Sequence, residues 1–140
     1  MMRLAISEFN EQKQLIQWWR DLKAIKKIPA HYHLICTDTA AKRTPGQQAR
    51  YKAMGAEAGT PDLFLAVPKL FLAMPGDISY SGLWIELKKP GREKEKDGGL
   101  TKEQSQRLSD MAISGYATIV CYSAIEAQKV ISNYLGIKLI

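Results

Sequence analysis

Three residues have types and spacing that could do chemistry. Asp62 stands in GTPDLFLAV at the mouth of an apolar run, Glu86 lies inside the apolar run LWIELKK, and Lys88 follows two positions later. Side chains alternate along a strand, so Glu86 and Lys88 point to the same face. A carboxylate inside a buried strand is costly unless a cation compensates it. Lys88 is one such cation and a bound divalent metal is another, and the two are compatible. On neighbouring strands, Asp62 and Glu86 would offer two oxygen donors to one hard cation. Magnesium takes one or two carboxylates, keeps several waters and binds substrate phosphate. Such an ion lowers the pKa of a bound water and neutralises charge building on a phosphate. Lys88 would position or help deprotonate the attacking water and stabilise the charged transition state. Phosphodiester hydrolysis needs this set.

Other chemistries find no support. His31 and His33 are the only histidines and form no Cys/His cluster with zinc spacing, so structural or solvent roles suit them. Lys69 follows a strand without Gly-x-x-x-x-Gly-Lys, and no Gly-x-Ser-x-Gly elbow is present.

The elements that must position these residues follow from periodicity and punctuation. Ser7-Glu8-Phe9 opens a helix with Leu15, Ile16, Trp19 and Leu22 at helical spacing, limited by Pro29. Glu8, Gln12, Ile16 and Trp19 fall four or three apart, which predicts an inward face that includes Glu8. Tyr32–Cys36 reads as a strand. Thr44-Pro45 starts a second helix that stops at Gly55. Strands follow at Leu63–Val67 and Leu83–Leu87, with PGDISYSG between them as a hairpin-type turn region. Pro90–Gly99 is polar and Gly-rich, predicting a mobile loop. Thr101-x-x-Gln104 resembles a capping box opening a helix through Met111, ended by Gly115. Ala117–Cys121 is the fourth strand, and Ser123 caps a last helix to about Leu135. The order predicts an α/β sandwich with a mixed sheet of about four strands flanked by helices. It fills one domain, residues 1–140.

Composition sets the outer bounds. The 140 residues are 46% hydrophobic and 24% charged, an ordinary globular balance that argues against global disorder. No apolar run approaches the length of a membrane span, and MMRLAISEFNEQ turns polar too soon for a signal peptide. Cys36 and Cys121 sit in apolar runs and read as reduced, buried thiols of a cytoplasmic protein. Twenty Lys and Arg against fourteen Asp and Glu give a net charge of +6. The excess is clustered at Lys42, Arg43, Arg50 and Lys52, again from Lys88 to Lys96, and at Lys23, Lys26 and Lys27. Such clusters are the footprint of phosphate contacts or, one by one, of solvated loops. Trp19 belongs to the inward stripe of the first helix. Its neighbour Trp18 packs on a partner subunit or is partly covered surface, and Trp84 fills the core rather than walling the site.

Pro-Asp…Glu-x-Lys, with Glu86 24 positions after Asp62, resembles the PD-(D/E)XK nuclease superfamily. A structural ion pair would account for Glu86 and Lys88 as well. The surroundings are more specific. AMGAEAGTPDLFLAVP, GLWIELKKPG and LTKEQSQRLSDMAISGYATIVCYSAIEA resemble the VRR-NUC branch of that superfamily, in its stand-alone phage or bacterial type. The shared features are the Gly before Pro-Asp, the Glu-Leu-Lys-x-Pro-Gly turn, the Leu-Thr-x-x-Gln helix start, Gly-Tyr-x-x-x-Val-x-x-Ser and the opening Glu8-x-x-x-Gln12 helix. The resemblance runs from about Ser7 to Leu135. One segment departs from it: CTDTAAKRTPGQQARYKAMG lacks the Asn-Gly-Gly turn that many members carry after the first strand.

The resemblance implies a restriction-endonuclease-like fold and a role for each matching residue. Asp62 and Glu86 match the metal-binding carboxylates, and the Leu87 backbone carbonyl matches a further ligand. A first-helix glutamate near the metal matches Glu8, with Glu11 as the alternative, and Glu8 also reads as a first-turn acid complementing the helix dipole. Lys88 matches the catalytic lysine. Gln104 matches a glutamine facing the active site and also reads as a plain capping-box residue. Lys42, Arg43, Arg50, Lys52, Lys89, Arg92 and Lys94 are then expected on DNA phosphates, although Arg50 and Lys52 also read as solvated helix residues. The activity implied is Mg2+- or Mn2+-dependent cutting of branched or flapped DNA, such as four-way Holliday junctions, in DNA repair. The chain is nearly used up by the catalytic fold, so a homodimer is expected to hold a large branched substrate. The alternatives are an inactive nucleic-acid-binding module and a partner-docking domain.

Overall fold

The computed structural model describes residues 7–37, 44–70 and 79–140. Lys42 and Arg43 lie outside them, as does the first half of the PGDISYSG region. An antiparallel bridge between Lys69 and Tyr80 closes the flanks of that region. Four strands form one sheet in the order β1 (Leu34–Cys36), β2 (Leu63–Leu65), β3 (Leu83–Leu87), β4 (Ala117–Cys121). The first two pairings are antiparallel, and β3 runs parallel to β4. This is the mixed four-stranded sheet that the sequence calls for.

Helices α1 (Glu8–Ala24) and α4 (Ala124–Leu135) pack together on one face of the sheet. The core there joins Leu15, Trp19 and Leu22 of α1 to Leu63, Leu65, Leu83, Ile85, Leu87 and Cys121 of the strands and Ala127 and Ile131 of α4. Truncating a buried leucine such as Leu15 in such a core costs roughly 2–5 kcal/mol. Helix α3 (Lys102–Ile113) packs beside β4 and meets the opposite face through Gln104. Helix α2 (Pro45–Ala53) stands apart and buries none of its side chains. The described helices include none long and apolar enough to cross a membrane.

Several boundaries and burials differ from the sequence expectation. The first strand begins at Leu34 because the Tyr32 carbonyl accepts from Lys23 Nζ at 2.9 Å and its amide closes a turn on Pro29. The second strand stops at Leu65, since the Val67 amide turns back onto the Leu65 carbonyl at 2.9 Å. Helix α3 runs two residues past Met111. Pro90–Gly99 is folded rather than loose. It contains two 3-10 turns, Arg92–Lys94 and Lys96–Gly99, held by Tyr122 Oη donating to the Gly98 carbonyl and Arg92 to the Gly99 carbonyl. Cys121 is buried, but Cys36 is exposed on β1, which pairs among the described residues with β2 alone. The buried stripe of α1 is Glu11, Leu15, Trp19 and Leu22; Glu8 falls on the same face, as expected, but stands in the first turn, where it is half-buried.

Candidate active site

Asp62 and Glu86 are brought together by the antiparallel pairing of β2 with β3. Leu63 stands opposite Ile85, and one step outward the same register sets Asp62 opposite Glu86. Leu63, Ile85 and Leu87 turn into the core between sheet and helices. Alternation therefore sends Asp62, Glu86 and Lys88 to the other face, where Gln104 waits. Asp62 Oδ2 accepts from the Leu87 amide at 2.8 Å, which ties the two strands at the site.

Glu86 and Lys88 are 2% and 4% exposed, a depth at which neither charge is tolerable alone. Lys88 Nζ lies 3.5 Å from Glu86 Oε1. Gln104 completes the triangle: its Nε2 donates to Glu86 Oε1 at 2.9 Å and its Oε1 accepts from Lys88 Nζ at 3.0 Å. The same Oε1 accepts from the Thr101 amide, and the Gln104 amide donates to Thr101 Oγ1. The capping box and the site contact both hold, the first aiming the second. Gly59, three residues before Asp62, makes this seating possible. A Cβ there would come within 2.5 Å of the Glu103 carbonyl group, and its φ of +83° suits glycine.

Glu86 Oε2 is buried and receives no N–H donor, and the neighbour that can share a proton with the Glu86 carboxyl is the Asp62 carboxylate. Burial pushes the Glu86 carboxyl up to about 8, the Asp62 charge adds to this, and Lys88 offsets part of it. Burial also raises Asp62, against the Leu87 amide and the Lys88 charge, which favour its ionised form. One lysine therefore undercompensates two carboxylates. A buried carboxylate oxygen without such a donor costs about 1–3 kcal/mol or more, and two acidic oxygen donors side by side suit a hard divalent cation. On these grounds the donor set fits such an ion.

Glu8 and Glu11 part company here. Glu11 is buried, and its Oε2 accepts from the Ala124 amide at 3.1 Å, satisfying the N-terminus of α4. Glu8 adds its charge to the surroundings of both Asp62 and Glu86, yet its Oε1 is bound by Arg92 Nη1 at 2.8 Å. Among the described residues no three acidic, His or Cys side chains form a ready-made metal cluster. Arg92 also binds Glu95 at 2.7 Å and the Gly99 carbonyl at 3.0 Å. Sequence spacing gave no sign of the Arg92–Glu8 contact, which joins positions 84 residues apart.

A cleft of about 360 Å³ beside the site is lined by Ser7, Glu8, Lys89, Arg92 and Glu95. Lys89 in that lining is exposed, as is Lys94 in the folded 90–99 segment, while Arg50 and Lys52 are exposed in the last turn of α2. Lys23 is half-buried and braces the loop before β1. Trp84 shares the sheet face of Glu86. It stacks on Phe64 at 4.4 Å between centroids and meets Tyr116 edge-on, so it belongs to a half-buried aromatic cluster rather than to the main core.

No protein-family model and no curated protein matches the sequence. Among solved structures, a VRR_NUC domain protein matches with a TM-score of 0.65 over 96% of this chain and 93% of that one, at 23% identity. At this level of identity the likeness speaks for architecture, and it agrees with the mixed sheet and its flanking helices: the chain has the fold of a VRR-NUC domain protein.

Proposed function

We propose that the chain is a VRR-NUC nuclease of the PD-(D/E)XK type, hydrolysing phosphodiester bonds in DNA with Mg2+ or Mn2+. The observation that carries this reading is the Asp62–Glu86–Lys88–Gln104 array, in which Glu86 and Lys88 are buried and Glu86 Oε2 receives no N–H donor. Asp62, Glu86 and the Leu87 carbonyl would hold the cation, with Glu8 as a further donor. When bound, the cation supplies an activated water and neutralises charge on the phosphate.

The protein's own groups do the rest. Gln104 fixes the Lys88 ammonium against Glu86, so that one proton donor is held in a dry setting where charge develops. The Leu87 amide keeps Asp62 ionisable by bonding its carboxylate. Lys89 and Lys94, together with Arg50 and Lys52 on α2, present exposed positive charge to the DNA backbone. Lys42 and Arg43 belong to the same proposed track by sequence position. The substrate proposed is branched or flapped DNA, four-way junctions above all, held by a homodimer with one active site per strand.

The test is a panel of junction, flap, duplex and single-stranded DNA with Mg2+, Mn2+ or EDTA, alongside Lys88→Ala and a light-scattering mass. Cation-dependent cutting that Lys88→Ala abolishes supports the reading. An intact panel with both metals overturns it, and a monomer mass overturns the dimer.

A further inference from the structure

Glu8 sits between two cationic claims. Its charge reaches Asp62 and Glu86, but its carboxylate is bound by Arg92 at 2.8 Å and no third carboxylate joins the pair among the described residues. Arg92 also donates through Nε to Glu95 and through Nη2 to the Gly99 carbonyl, which anchor it to the folded 90–99 segment. Both partners line the same cleft as Lys89, open to solvent at the side of the site. The Arg92 and Glu8 side chains are 28% and 40% exposed, so the contact can break without opening the core.

Resting on the nuclease reading, we propose that Arg92 and the divalent cation compete for Glu8, and that the guanidinium released by the cation joins Lys89 in binding a backbone phosphate. Arg92 is then a positioning residue while the cation is absent and a DNA contact once it is bound. A carboxylate shared between two cations serves only one fully at a time, so removing Arg92 strengthens the other claim. Linkage then makes cation and DNA each favour the other.

Two binding measurements test this, both with Ca2+, which takes the same oxygen donors, and with DNA verified as uncut. First, calorimetry without DNA compares wild type, Arg92→Met, Arg92→Lys and Glu8→Gln. An ion pair of this exposure is worth a modest factor, so Arg92→Met is expected to bind the cation about two- to fivefold more tightly. Arg92→Lys, which keeps the charge, is expected to fall between it and wild type. In the Glu8→Gln background, replacing Arg92 is expected to change nothing. Second, fluorescence anisotropy measures DNA affinity with Ca2+ and with EDTA. Arg92→Met is expected to lose affinity with the cation and little without it. Cation affinity that is unchanged or weaker in both Arg92 variants overturns the competition, as does an equal loss of DNA affinity in both conditions. Wild type that binds no cation at all overturns the nuclease reading itself, and so is told apart from failure of the competition alone.

Discussion

At the end of the inner strand β3, Glu86 and Lys88 are almost wholly buried and share Gln104, whereas at the sheet edge β1 exposes Ile35 and Cys36, and α2 buries no side chain. The first region is wired by hydrogen bonds from three directions: the Asp62 loop, β3 and the first turn of α3. The second holds together by its own capping box at Thr44 and offers Arg50 and Lys52 to solvent. On the proposed function the contrast separates two tasks. Chemistry needs charges fixed in a dry place, while backbone binding needs charges on a surface that tolerates many substrate shapes.

The largest test of that contrast is to remove charge from each region. Lys88→Ala and Glu86→Gln are each expected to lower cutting by about 10²–10³-fold, leaving DNA affinity nearly intact in single-turnover assays. Lys88→Met also strands Glu86 and is expected to cost roughly 3–5 kcal/mol in denaturant unfolding at alkaline pH, with Glu86→Leu in the same chain recovering most of it. If Lys88→Met is as stable as wild type, the buried pair is not a unit.

Glu11 and Glu8 sharpen the comparison within one helix turn. Glu11→Ala leaves the Ala124 amide unsatisfied and is expected to cost about 1–3 kcal/mol. Glu8→Ala is expected to change stability by less than about 0.5 kcal/mol. Thermal or denaturant unfolding of the two variants checks this.

A pH series sharpens it further. Burial and Asp62 raise Glu86 from 4.5 to about 8, so between these values the folded chain holds a proton that the unfolded chain has released. Stability from this group is therefore complete below about 4.5 and lost as pH rises through about 8. Chemical denaturation of the metal-free protein is expected to show that decline, and Glu86→Gln or saturating Mn2+ to flatten it.

The smallest effects belong to the exposed edge. Arg50→Ala and Lys52→Ala are each expected to leave stability within about 0.5 kcal/mol. Each is expected to weaken DNA binding similarly across sequences and to reduce the salt slope by about one. Salt titrations of DNA affinity check both. An unchanged slope would mean that these two residues only solvate α2.

Much of the candidate site's geometry was legible in the sequence because it rests on short-range rules. Strand alternation put Glu86 and Lys88 on one face, and the Thr101-x-x-Gln104 spacing gave the cap of α3, while the aim of Gln104 came from the family resemblance. The choice between Glu8 and Glu11 was not legible, since both stand in one helix turn before the same apolar stripe. What separates them is an amide at Ala124, 113 positions away from Glu11, and the guanidinium of Arg92, 84 away from Glu8. The same limit hid the order in Pro90–Gly99, whose polar, Gly-rich sequence suggests looseness until Tyr122 and Arg92 are seen to pin it. Cys36 misled for a related reason: an apolar run marks a strand but not whether that strand is central or at an edge.

The central claim is that Asp62 and Glu86 together bind the cation that makes this fold a nuclease. Anomalous diffraction from crystals soaked in Mn2+ tests it most directly. The account predicts a peak within coordination distance of both carboxylates, lost in Glu86→Gln. No peak there at saturating Mn2+, or one that persists unchanged in Glu86→Gln, would contradict it.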